Sequence, residues 1–262
     1  MLSWVSVRAA LLLALVGIVL ARSDFASAQT QPPRSLREAM VGSVAEDGRD
    51  RNQAPPVARY RSETGASFVF DRSRRPALLQ FDRGLEIWVL HPTPGPRGDI
   101  IYKNDLEQPV LRTTRLGGLT LFTQENPEGM PAALVGTARP FRAPVFTPAQ
   151  VLQILAHASE RASRASRKVI TFEAGVRGQE VTAATSYLVA DAAGIAAEAV
   201  ARLALTPRGR VALTRVNRVK ILYGPRATAR LREGVLEIII SPRQGMAGRP
   251  SSGLIMRTIA AR

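Results

Sequence analysis

The chain has 262 residues with no cysteine and only two histidines, His91 and His157, which excludes disulfides, thiolate metal sites, a cysteine nucleophile and any histidine-rich metal site. Its formal net charge is +15, a balance that usually points to an anionic partner. Lys103, Lys168 and Lys220 are the only lysines among 36 basic residues, however, and this usage is what a GC-rich genome imposes whatever the function. The arginines are scattered, with no basic arm or stripe, so nucleic acid is not expected as a partner.

At the N-terminus, Arg8 precedes an apolar run from Ala9 to Ala21, and Ala26-Ser27-Ala28 then offers small residues at the positions a signal peptidase reads. Residues 1–28 are therefore expected to be a secretory signal peptide. The apolar run is too short to anchor the chain, since crossing a hydrocarbon core takes about 20 residues. Cleavage removes Arg8, Arg22 and Asp24, leaving the mature chain strongly basic. The expected product begins at Gln29, is soluble, carries no transmembrane anchor, and is periplasmic or secreted.

Residues 29–59 are rich in Gln, Pro, Arg and Asp and read as a flexible linker, with one possible short helix from Leu36 to Val44. A β-rich domain is expected over 60–138. Its strand patterns run over Ser67 to Asp71, Ala77 to Asp82, Leu85 to Leu90, Asp99 to Lys103, Val110 to Thr114, Leu119 to Thr123 and Ala132 to Thr137. Such short strands with turn residues between them suggest a small antiparallel sheet, barrel or sandwich. Gly117-Gly118 marks a tight turn requiring positive φ. Arg97-Gly98-Asp99, familiar elsewhere as an adhesion tripeptide, follows Pro92, Pro94 and Pro96 and reads as a turn at a strand start.

An α/β domain is expected over 145–262. Thr147-Pro148-Ala149-Gln150 opens a helix with a hydroxyl cap, proline at the first position and glutamine at the third. Val151, Leu152, Leu155, Ala158 and Ala162 are assigned to its buried face. A strand from Lys168 to Glu173 and a long Ala-rich helix from Thr185 to Leu205 follow, then strands over Val216 to Tyr223, Ala227 to Leu231 and Val235 to Ser241, and a last helix from Ser251 to Ala261. The fold class is α+β: an antiparallel β-rich N-terminal part followed by an α/β C-terminal part with two main helices, a small sheet and a C-terminal helix.

No residue constellation identifies a reaction. Phe70-Asp71-Arg72 and Phe81-Asp82-Arg83 invite a two-carboxylate mechanism, but a hairpin around Arg72 to Pro76 sets Asp82 opposite residue 66. That separates the carboxylates by roughly 17 Å at ~3.4 Å per residue, beyond the ~5 to 9.5 Å such chemistry uses. A serine triad lacks a Gly-x-Ser-x-Gly elbow and would have to recruit His91 or His157. Asp191 falls on the inward side of the long helix, where a buried carboxylate needs a partner, and a structural ion pair with an arginine is the expected solution.

The strand-to-helix loop from Pro242 to Ser252 is the candidate anion site. Arg243, Gly245, Gly248, Arg249, Ser251 and Ser252 combine two guanidiniums, two hydroxyls and helix-start N–H groups. The loop lacks the Gly-Lys-Ser/Thr ending of a nucleotide P-loop, and the competing structural reading is that Ser251 or Ser252 merely caps the helix. The favoured function is a non-catalytic binding or interaction module whose partner is an anionic envelope component or another envelope protein. The alternative is a carboxylate-dependent hydrolase drawing on Asp71, Asp82, Glu86, Asp99 and Asp105, two of which would have to share one pocket. No metal or cofactor is expected.

The blocks Phe70-Asp71-Arg72-Ser73, Pro96-Arg97-Gly98-Asp99, Leu116-Gly117-Gly118 and Gly248-Arg249-Pro250-Ser251-Ser252, in this order behind a signal peptide, resemble an uncharacterised family of exported proteins from GC-rich Gram-negative bacteria, catalogued only as a domain of unknown function. The resemblance covers the chain from about residue 60 to its end. It implies the compartment, and brings with it no activity, cofactor or site residues.

Overall fold

The computed structural model describes residues 54–175 and 181–261. The expected signal peptide and the linker up to residue 53 lie outside the described residues.

Eight short strands form a closed antiparallel barrel: β1 (Val57–Ser62), β2 (Ser67–Asp71), β3 (Ala77–Phe81), β4 (Ile87–Pro94), β5 (Ile100–Lys103), β6 (Pro109–Thr113), β7 (Leu119–Leu121) and β8 (Met130–Thr137). Each pairs with the next in sequence, and β1 closes the ring against β8, so no backbone edge stays open to aggregation. The seven expected strand regions are all present. The additional strand is β1, where Arg59 and Arg61 alternate with the buried Tyr60 and Ser62.

Alternation fills the barrel with side chains, as the narrow interior of an eight-stranded barrel allows. Tyr60 stacks on Phe68 at 5.8 Å between ring centres, and Phe70 meets Tyr102 edge-on at 4.9 Å. Leu79, Leu90, Leu111 and Leu121 complete the core. The paired glycines make the expected turn: Gly117 has φ 86°, and Thr114 exchanges backbone hydrogen bonds with Gly117 and Gly118.

The Arg97-Gly98-Asp99 corner forms a single 3-10 turn, with positive φ at both Arg97 and Gly98. The Asp99 side chain is buried and takes the Arg112 guanidinium of β6, at 2.6 Å from Nε and 2.5 Å from Nη2. Its work is to fasten the turn to the neighbouring strand.

A connector then leads to the α/β part, with the Phe141 N–H donating to Asp71 Oδ2 at 3.1 Å. Helix α1 (Pro148–Ser166) begins with the expected capping box, in which the Gln150 N–H donates to Thr147 Oγ1 and the Thr147 N–H to Gln150 Oε1. Its inward residues are Val151, Leu155, Ala158 and Ala162. Leu152 departs from the expected buried face: it is 67 % exposed. One residue is ~100° of helical turn, and the stripe through Val151 and Leu155 is narrow enough to leave Leu152 outside it.

Strand β9 (Thr171–Ala174) precedes α2 (Ala183–Ala204), whose buried Ala192, Ala193, Ala196, Ala197 and Ala199 let neighbouring elements approach closely. After the short α3 (Pro207–Leu213) come β10 (Arg218–Tyr223), β11 (Thr228–Arg232), β12 (Val235–Ile240) and the last helix α4 (Ser252–Ala260). The sheet order is β11-β12-β10-β9, with β9, β10 and β12 parallel and β11 antiparallel on one edge. Val219, Ile221, Leu236, Ile238 and Ile240 join the buried residues of α1, α2 and α4 in a second core. Antiparallel barrel, then helices with a small sheet: the fold is α+β, and among the described residues no helix is long and apolar enough to cross a membrane.

Candidate ligand cleft

The loop between β12 and α4 is built for close approach. After a 3-10 turn (Pro242–Ala247), interrupted by Gly245 at φ 55°, the chain folds back so that the Ser241 N–H donates to the Gly248 carbonyl at 2.7 Å. A Cβ on Gly248 would lie 2.0 Å from the Ser241 carbonyl oxygen, so only glycine fits there. The turn delivers Arg249 and Pro250 into the interior and leaves Ser251 as the cap of α4, its Oγ accepting from the Leu254 N–H at 3.0 Å.

A helix start exposes orphan N–H donors that attract negative charge. Here the protein supplies the anions itself. Asp105, in the β5-β6 turn, accepts from the Ser251 N–H at 2.8 Å and from its hydroxyl at 2.6 Å. Glu86, just before β4, accepts from the Ser252 N–H at 3.0 Å and from its hydroxyl at 2.6 Å. The Asp105 turn is itself braced, because Asn104 Oδ1 accepts the Leu106 and Gln108 N–H groups, both at 3.0 Å. Two barrel carboxylates thus clasp consecutive residues of the α/β part, and both parts belong to one compact unit.

Arg249 forms the second half of the junction. It is 3 % exposed, its Nε donates to Asp191 Oδ2 at 2.7 Å, its Nη2 donates to the Ile87 carbonyl of β4, and its Nη1 lies 3.9 Å from Glu86 Oε1. Burial alone would push the guanidinium down, but the charge and hydrogen bond of Asp191, joined by the charge of Glu86, hold it above its ordinary value. Tyr187, one turn before Asp191, donates to the same carboxylate at 3.2 Å; burial and then the Asp191 charge push its phenol well above the usual range. Asp191 has the arginine partner its place on the helix calls for.

Around this junction lies a cavity of about 790 Å³, bounded by the barrel on one side and by α2, α4 and the β12-α4 loop on the other. Arg75, Arg226, Arg243 and Arg257 stand exposed on its rim, and none makes a side-chain hydrogen bond or ion pair among the described residues. Arg202 also lines it and donates weakly to Ser252 Oγ at 3.3 Å. Between the charges the wall is apolar, with Trp88, Leu106, Leu203, Pro250 and Met256.

The six loop residues singled out from sequence therefore separate. Arg249, Ser251 and Ser252 meet at the junction and face internal carboxylates, Gly245 and Gly248 shape the backbone, and Arg243 alone points a free guanidinium to the cleft. The carboxylate pool separates too. Asp71 accepts from the N–H and hydroxyl of Ser73, Asp82 pairs with Arg59, and Asp99 pairs with Arg112. Asp82 sits opposite Ser67 in the β2-β3 ladder, one residue from the expected register and well away from Asp71. Only Glu86 and Asp105 reach the same cleft.

His91 lines the cleft, His157 stands on the exposed side of α1, and among the described residues neither hydrogen-bonds a serine. Among the described residues, no three His, Asp or Glu side chains gather as a metal-binding group.

Sequence reasoning missed the partnership of Glu86 and Asp105 with α4. The contacts span 166 and 146 residues, and the only local hint was a charged residue next to a strand or turn. No match was found among curated proteins or among solved structures. Residues 35–259 match the family described as a domain of unknown function (DUF4908), and the chain belongs to that family.

Proposed function

We propose that this protein is an exported envelope module that binds a small anionic ligand in the cleft between the barrel and α4, without catalysing its conversion. The observation that carries this reading is the imbalance of charge in the cleft: four exposed guanidiniums have no partner among the described residues, while both local carboxylates are committed to Ser251 and Ser252. A cavity of about 790 Å³ is in the ~300 to 1,000 Å³ range of small-molecule sites. Export is supported by Arg8, the Ala9 to Ala21 run and Ala26-Ser27-Ala28, which read as a signal peptide ahead of a periplasmic or secreted chain.

The hydrolase reading draws on Glu86 and Asp105 sharing the cleft. Each, however, already receives an N–H and an O–H from the start of α4, so neither is aimed at a substrate, and a general acid or base must reach the proton it moves.

The test is calorimetric titration of the protein with phosphate, citrate, benzoate and decyl phosphate. Saturable binding of at least one, weakened about tenfold by Arg226→Ala/Arg243→Ala, is expected, since exposed ion pairs contribute up to ~1 kcal/mol each and tenfold is about 1.4 kcal/mol. No binding by any of the four contradicts the proposal. Mass spectrometry of the bound ligand distinguishes the hydrolase: unchanged ligand fits a binder, and a cleaved product fits an enzyme.

A further inference from the structure

We infer that the ligand is an anionic amphiphile, a single anionic headgroup on an apolar tail, held with the headgroup at the arginine rim and the tail along the floor; this rests on the binding reading above. The floor cannot receive the anion. The N–H groups of Ser251 and Ser252 are taken by Asp105 and Glu86, and Arg249 gives its Nε to Asp191 and its Nη2 to the Ile87 carbonyl, while its Nη1, which has no hydrogen-bond acceptor, is buried 3.9 Å from Glu86 Oε1. A second anion there would face carboxylates at close range, where reduced dielectric magnifies repulsion. Negative charge is therefore directed outward to Arg75, Arg226, Arg243 and Arg257.

What the floor does offer is apolar surface. Trp88, Leu106 and Met256 are half-buried and keep apolar surface toward the cleft, and Leu106 lies against Gly253, where an added Cβ would come within 3.2 Å of its Cδ1. A tail covering these groups gains ~25 cal/mol per Å² of apolar surface removed from water. An inorganic anion would use only the solvated rim, where ion pairs contribute little. A neutral tail would use only the floor. Both surfaces are satisfied together by one molecule that carries the two chemistries, and the cavity volume fits a free small molecule instead of a bilayer.

Titration of the full chain with decyl phosphate below its micellar concentration, inorganic phosphate, decanol and phosphatidylglycerol vesicles separates the outcomes. Decyl phosphate is expected to bind at least about tenfold more tightly than phosphate or decanol. Arg226→Ala/Arg243→Ala is expected to weaken it about tenfold, and Met256→Ser to weaken decyl phosphate without changing phosphate. Equal affinity for phosphate and decyl phosphate overturns the amphiphile while leaving the anion-binding reading intact. Equal affinity for decanol and decyl phosphate, unaffected by the arginine changes, overturns both. Binding to vesicles that persists in the double arginine variant, with no binding of monomeric decyl phosphate, overturns this inference in favour of a membrane surface.

Discussion

The floor and the rim of the cleft are built from the same residue type and put it to opposite uses. On the floor, Arg249 is buried and held between Asp191, Glu86 and the Ile87 carbonyl, so its charge joins the barrel to the α/β part. On the rim, Arg75, Arg226, Arg243 and Arg257 stand in solvent with no counter-charge among the described residues. The difference shows why the overall basicity of a chain is a poor guide to its binding site. In the proposed reading, what marks the site is the set of guanidiniums left without a partner among the described residues.

That contrast can be broken most severely from the floor. Arg249→Ala leaves the partly buried Asp191 and Glu86 without their shared cation and is expected to cost about 3 kcal/mol of stability, seen as a lowered midpoint in urea unfolding. An unchanged midpoint would mean that the junction is not what holds the two parts together.

The floor also sets an alkaline limit. Tyr187 has a folded pKa raised above the unfolded value of about 10, so the folded state keeps a proton that the unfolded chain releases. Its contribution is fully present below pH ~10 and declines as pH climbs from there toward the raised folded value. Tyr187→Phe should flatten that decline in unfolding measurements made between neutral and strongly alkaline pH, and an identical profile would contradict the assignment.

At the edge of the floor, Ser251→Ala removes a helix cap and one hydrogen bond to Asp105, with an expected loss of about 1 kcal/mol. The rim should respond least: Arg226→Ala and Arg243→Ala remove side chains that have no partner among the described residues and should stay within about 0.5 kcal/mol of the parent in the same unfolding assay. A large loss there would place these arginines in the structural framework and erase the distinction.

Seven of the eight strands of the barrel were legible in sequence because their information is local, whereas the choice among sheet, barrel and sandwich was not. Two short apolar runs, Ser67 to Asp71 and Ala77 to Asp82, separated by turn residues, are enough to locate a hairpin. The additional strand, β1, pairs with its neighbour β2 and also closes the ring against β8, and this second, long-range contact is not announced by its own short pattern. Leu152 shows the limit of helical periodicity, since a single neighbouring position can fall on either side of a narrow stripe. In the Arg243 to Ser252 loop, the hydroxyls and N–H groups of Ser251 and Ser252 engage carboxylates of the protein itself. That these come from Asp105 and Glu86 of the same chain follows from how the barrel docks, which neither spacing nor composition encodes.

The most direct test of the account is the affinity of decyl phosphate for the wild-type chain and for Arg226→Ala/Arg243→Ala, measured by calorimetry alongside urea unfolding. The account predicts saturable binding that weakens about tenfold in the variant while stability stays unchanged. Equal affinity for both proteins, or no binding to either, would contradict it.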